Sequence, residues 1–164
     1  MKEETFRKVS ARVRQFRYGE KIVINGNRFV TDFVYVFFGI FLMNLLINKD
    51  ERIIRVVLVT GISFVAVSIF RHIYNADRPY TVYDFSPIIQ KEKTGESMPS
   101  RHVFSSFIIA MAALYVYPFF SIPVFICSVL MCFGRVIAGV HFPRDVIAGA
   151  VIGIVSGVIG FYLM

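Results

Sequence analysis

The chain has 164 residues, of which 56% are hydrophobic and only 18% charged, with 18 Phe and no Trp. Soluble domains run about 45–50% apolar, so a mean hydropathy of +0.64 excludes an ordinary water-soluble domain and points to one integral membrane domain. The formal charge of +7 is gathered in residues 1–28 and around 71–101, beside apolar runs, which fits anionic headgroups or a phosphorylated ligand and excludes nucleic acid as the partner.

Phe6, Val9, Val13 and Phe16 recur at helical spacing, with Arg7, Lys8, Arg12, Arg14 and Arg17 between them. That pattern predicts a basic amphipathic helix over residues 2–17, lying in the membrane interface or packed on the domain's own surface. Gly19 and the run Asn25-Gly26-Asn27 carry turn residues. Residues 1–28 are thus expected to form an interfacial segment and residues 29–164 the transmembrane domain. The first 28 residues are too charged for the apolar core of a secretory signal peptide. Residues 29–47 make a first span of about the twenty residues a bilayer core needs, and 48–52 a polar turn. Residues 53–70 make a second span, with Arg55 placed to snorkel.

The only long polar connection runs from 71 to 101, broken by Pro79, Pro87 and Gly95; long connections in compact domains are commonly functional. Residues 102–134 then contain no Lys, Arg, Asp or Glu. Pro118 and Pro123 divide this run into a third and a fourth span around a tight turn at 117–121, and Ser100 is placed to N-cap the third. Residues 146–164 form the fifth, where Gly149, Gly153 and Gly157 leave a flat face for close packing, within the monomer ahead of dimerisation. Cys127 and Cys132 share one apolar run and read as small buried residues, not as a disulfide or metal pair. The fold expected is all-α: a polytopic membrane helical bundle of five spanning helices plus an N-terminal interfacial amphipathic helix.

Antiparallel alternation of five spans brings the end of span two, the start of three, the end of four and the start of five to one face. Arg71, Arg78, Ser100, Arg101, His102, Arg135, His141 and Asp145 converge there. The stretch Gly134-Arg-Val-Ile-Ala-Gly-Val-His-Phe-Pro-Arg-Asp145 holds the densest chemistry. A carboxylate beside an imidazole fixes the ring tautomer and strengthens the free nitrogen. A guanidinium matches phosphate oxygens. Pro143 suits the first position of a helix, so His141 would stand before a helix N-terminus, where free N–H groups favour an anion. The plainer alternative makes Asp145 a first-turn acid complementing the helix dipole and Arg135 and His141 interfacial side chains.

Arg71-x6-Arg78-Pro79, Pro99-Ser100-Arg101-His102 and Arg135-x5-His141-x3-Asp145 resemble, in order, the three motifs of the type 2 phosphatidic acid phosphatase family, which includes membrane lipid phosphatases and soluble vanadium haloperoxidases. The resemblance covers about residues 53–164. It implies that His141 is a nucleophile forming a phosphohistidine, oriented by Asp145. It implies further that His102 is the general acid and then the base for water, and that Arg71, Arg78, Ser100 and Arg135 hold the phosphoryl oxygens. That division of labour suits phosphoryl transfer, which needs positioning and charge stabilisation on three equatorial oxygens. No cofactor is implied, and a metal held by His72, His102, His141 and Asp145 is disfavoured by the repulsion of the arginines. Three positions depart from the pattern: Arg71 stands where the family has Lys, Arg101 where it has Gly, and Gly134 where it has Ser. Arg101 is expected to add a phosphate contact or narrow the mouth of the site.

The function expected is metal-independent hydrolysis of a lipid phosphate or diphosphate of the undecaprenyl diphosphate, phosphatidylglycerol phosphate or phosphatidic acid type. The rival is a non-catalytic lipid-phosphate carrier or transporter, since intramembrane ionisable residues mark such pathways too. Binding needs only the arginines, whereas turnover uses both imidazoles. Sidedness sets two arguments against each other. Eight Lys or Arg in residues 1–28 lie on the site face and, by the positive-inside rule, place it in the cytoplasm. The family resemblance, and Lys49, Arg52 and Arg55 around a short loop on the other face, place it outside; the expectation is a multi-pass cell-membrane protein with an extracytoplasmic site.

Overall fold

The computed structural model describes residues 1–90 and 92–164. Among the described residues the fold is all-α. Its helices are α1 (Glu3–Gln15), α2 (Gly19–Ile47), α3 (Arg52–Tyr74), the short α4 (Pro79–Val82), α5 (Arg101–Val116), α6 (Pro118–Ile137) and α7 (Pro143–Val158), the last widening into a π-helical turn over Ile159–Leu163.

The helix α5 is the axis of the bundle. Val103, Phe104, Ala110, Ala112 and Ala113 on it are fully buried, wrapped by α2, α3, α6 and α7. The glycine stripe of α7 makes the tightest of these contacts. A Cβ at Gly149 would stand 2.7 Å from the Ser100 carbonyl oxygen, at Gly153 2.8 Å from Phe107 Cβ, and at Gly157 2.5 Å from Met111 Cβ. The stripe therefore packs inside the monomer, and it brings the two helix starts that carry Ser100 and Asp145 side by side.

Outward the bundle is apolar. Ile40, Ile62, Phe133 and Ile147 are each more than half exposed, an arrangement that water would penalise and lipid does not. The helices α2, α3, α6 and α7 with its π turn are long and apolar enough to cross a bilayer. The chain is a multi-pass membrane protein. Of the five spans expected, α5 falls short: its 16 residues rise about 24 Å, against about 30 Å of hydrocarbon. Its residues 103–113 are all buried among the other helices, so this stretch need not match the lipid thickness.

Of the expected turns, one is absent and one is shorter. Asn25-Gly26-Asn27 lies inside α2, which runs unbroken from Gly19, so the boundary expected at residue 28 falls within a helix. Asn27 is buried there and donates from Nδ2 to the Gly134 carbonyl, 3.2 Å; packing outweighs the turn propensity of the triplet. The turn expected at 117–121 contracts to Tyr117. Pro118 opens α6 at its first position and Pro123 lies within it, where it forfeits one backbone bond near an already underbonded helix start.

The basic helix α1 sits on the site end of the bundle with its apolar face divided. Phe6 is 1% exposed, stacked on Phe85 with ring centroids 5.1 Å apart and edge-on to Phe142 at 5.7 Å. Arg14 donates to the Ser86 carbonyl, 3.1 Å. Phe16 at its end is exposed.

Candidate active site

The C-terminal ends of α3 and α6, the N-terminal ends of α5 and α7 and the connection 75–100 meet at one end of the bundle. His141 is 3% exposed and Asp145 fully buried. His141 Nδ1 lies 3.6 Å from Asp145 Oδ2. Between them stands a group that the motifs did not single out, Ser97: its hydroxyl donates to Asp145 Oδ2 at 2.5 Å and lies 3.3 Å from His141 Nδ1. The Phe142 N–H also donates to Oδ2, 3.0 Å. With Pro143 first in α7 and Asp145 third, the acid caps its own helix while facing the imidazole, so the dipole role and the orienting role coincide. Acceptors cluster around Nδ1, which places the ring proton there and leaves Nε2 as the free nitrogen. Burial pushes the His141 imidazole down to about 4, outweighing the opposing pull of the Asp145 carboxylate. The ring is therefore neutral, as a nucleophile must be.

The basic residues are held differently. Arg71 donates through Nη1 to the Pro99 carbonyl and through Nη2 to the Glu96 carbonyl, with the Ser97 carbonyl 3.4 Å from Nη1. Arg78 donates through Nε to the Gly95 carbonyl, 2.9 Å, and through Nη1 to the Val140 carbonyl just ahead of His141, 3.3 Å. Two buried guanidiniums thus clamp the segment 95–99 and the approach to His141 in one frame. Ser100 is fully buried at the N-cap of α5, its hydroxyl has no hydrogen-bond partner among the described residues, and its N–H donates to the Asp145 carbonyl, 2.8 Å. A buried hydroxyl beside two arginines at a helix start is a donor set prepared for an anion.

Arg135 and Arg101 are tied to α2 and α3. Arg135 is 6% exposed and donates through Nη2 to Thr31 Oγ1 of α2, 3.0 Å, with its Nε buried and unpartnered among the described residues. Arg101 lies with its guanidinium over the Phe64 ring of α3, 5.7 Å from the centroid. His102 is half-buried in the first turn of α5. His72 is exposed and paired with Glu96, Nδ1 to Oε1 3.5 Å. The signal for Ser97 was in the sequence, a hydroxyl three residues ahead of Ser100, but serine is too common for position alone to mark it.

A family model described as the PAP2 superfamily matches residues 52–164. The chain belongs to the PAP2 superfamily. Membership bears out the resemblance to the type 2 phosphatidic acid phosphatases drawn from the three motifs, and it carries the enzyme class, a membrane lipid phosphatase, while leaving the lipid open. Among curated proteins the chain is similar to the undecaprenyl-diphosphatase BcrC of Bacillus subtilis (strain 168), 25% identical over 137 residues that cover 81% of this chain and 70% of that one. Among solved structures it is similar in fold to Aquifex aeolicus LpxE, with a TM-score of 0.74, 24% identity and coverage of 96% of this chain and 92% of that one. It is also similar in fold to the PAP2-type phosphatidylglycerolphosphate phosphatase of Bacillus subtilis, with a TM-score of 0.70, 20% identity and coverage of 96% and 83%.

Proposed function

We infer that this PAP2 enzyme removes a phosphate from a membrane lipid phosphate or diphosphate without a metal, through a phosphohistidine on His141. The observation that carries this is the buried His141–Ser97–Asp145 relay, ahead of the α7 N-terminus and framed by Arg71 and Arg78. In the first step His141 Nε2 attacks phosphorus and the bond to the leaving oxygen breaks, with His102 protonating that oxygen. In the second step water attacks the phosphoryl group, His102 takes its proton, and the phosphorus–nitrogen bond breaks to free His141 and inorganic phosphate. Arg71, Arg78, Arg135 and the Ser100 hydroxyl stabilise the charge on the equatorial oxygens, with Arg101 at the mouth.

Undecaprenyl diphosphate leads the candidate substrates because the curated relative is an undecaprenyl-diphosphatase; phosphatidylglycerol phosphate and phosphatidic acid follow. A site at the end of a bundle whose flanks are lipid-facing suits such amphiphiles, whose tails stay in the bilayer. Phosphate release from a panel of these lipids in detergent, with and without EDTA, tests the proposal. Release that survives EDTA is expected; loss on chelation with recovery in Mg²⁺ or Zn²⁺ would contradict it.

The site is proposed to face the extracytoplasmic side, with α1 lying along the headgroups above it. A single cysteine in the loop 84–90 of a variant lacking Cys127 and Cys132 is then labelled by a membrane-impermeant maleimide in intact cells. Labelling only after the membrane is opened would reverse the orientation.

A further inference from the structure

The helix α2 lies outside the residues that the family model matches, yet its inner face at the site end is polar. Thr31 Oγ1 accepts the hydrogen bond from Arg135 Nη2, 3.0 Å, and itself donates to the Asn27 carbonyl one turn back, 2.7 Å. The Asn27 side chain donates from Nδ2 to the carbonyls of Val23, 2.9 Å, and Gly134, 3.2 Å. A Cβ on Gly134 would stand 2.8 Å from Asn27 Oδ1 and 3.0 Å from Nδ2. Asn27 therefore occupies the room that glycine leaves beside Arg135, at the position where the family motif carries serine. Both Asn27 Oδ1 and Arg135 Nε are buried without hydrogen-bond partners among the described residues. A guanidinium this deeply buried is undersatisfied until an anion reaches it.

We propose that Thr31 and Asn27 are positioning residues for Arg135: α2 holds the third arginine from outside the shared motifs, as the segment 95–99 holds the first two. The proposal rests on Arg135 being a phosphate ligand. Thr31 fixes one edge of the guanidinium and leaves Nε available to a phosphoryl oxygen, so the fork is held before substrate arrives. Asn27 fixes the backbone from which Arg135 springs by bonding the Gly134 carbonyl. Asn27 and Gly134 are then one complementary pair, and neither changes alone without cost.

The test uses the full chain in detergent with two readouts, turnover of a lipid phosphate and the rise in Tm on adding orthovanadate, which needs no turnover. Thr31→Val keeps the shape and removes the acceptor; it should raise KM and the orthovanadate inhibition constant about 10-fold, the size of a lost hydrogen bond to a charged group, with a smaller change in kcat. Thr31→Ser should return both to within about 3-fold of the parent. Gly134→Ser should lower Tm and activity, and Asn27→Ala/Gly134→Ser should recover both above the level of Gly134→Ser. A parent chain that turns over substrate and is stabilised by orthovanadate, with Thr31→Val unchanged on both counts, overturns this proposal alone. A parent chain that does neither overturns the phosphohistidine reading, and this proposal with it.

Discussion

The two ends of the bundle carry similar residue types in opposite states. At the far end Asp50 and Arg52 form an ion pair of 2.6 Å, with side chains 17% and 41% exposed, and Arg52 lies over the Tyr117 ring. At the site end the His141 and Asp145 side chains are 4% and 1% exposed, beside two buried arginines that donate to backbone carbonyls. An ion pair open to solvent is screened, so it contributes little and costs little to form. Buried ionisable groups cost several kcal/mol each in desolvation, which apolar side chains of the same volume would avoid. The far end holds a loop together; the expensive arrangement at the site end is what the proposed chemistry would use.

The largest effect expected from this contrast is on turnover. Asp145→Asn should reduce kcat by about 10³-fold, because the amide cannot hold the Nδ1 proton of His141 in the same way. Asp50→Asn should leave turnover within about 2-fold. Steady-state kinetics on both variants checks the comparison, and equal losses would break it. Ser97→Ala removes the hydroxyl between imidazole and carboxylate and should cost about 10- to 100-fold in kcat, with folding preserved by near-UV circular dichroism. An unchanged kcat would reduce Ser97 to a loop-capping residue.

How much of this was legible in the sequence depended on what carried the signal. The bundle was legible because apolar runs of span length leave few alternatives, and the convergence of Arg71, Arg78, Ser100, His141 and Asp145 followed from alternation alone. Hydropathy could not distinguish the core helix from the lipid-facing ones, since both are apolar; Val103 and Ile62 read alike, yet one is buried and the other faces outward. That is why hydropathy reads α5, the third of the five spans, as a full crossing. Asn25-Gly26-Asn27 reads as a turn by local propensity, and the partner that Asn27 bonds inside the helix, Gly134, is 107 positions away. Ser97 and Thr31 escape a reading of the sequence for the same reason: each acts through long-range hydrogen bonds.

The pH response sharpens the contrast further. Folding carries the His141 imidazole from 6.5 down to about 4 by burial, so the unfolded chain binds the extra proton. Stability from this group is complete above pH 6.5 and is lost as pH falls through that interval. In a ¹⁵N-histidine NMR titration one of the three imidazoles should stay neutral to about pH 4, and His141→Gln should remove that resonance. The acid loss of Tm should also be shallower in that variant. A His141 resonance that titrates near 6.5 would mean that the ring is solvated.

The smallest effect concerns Arg101, whose guanidinium lies over Phe64 at the rim. Arg101→Gly should shift the ratio of rates on monophosphate and diphosphate lipids by a few-fold to ~30-fold, about 1–2 kcal/mol. Uniform inactivation on every lipid would instead put it in the catalytic clamp.

The central claim, that His141 takes the phosphoryl group, is tested most directly by trapping it. Enzyme mixed with radiolabelled lipid phosphate, quenched in alkali and digested, should yield acid-labile label on the peptide carrying His141 and none in His141→Ala. Label undiminished in His141→Ala, or carried on Ser97 or Ser100 in an acid-stable form, would contradict the account.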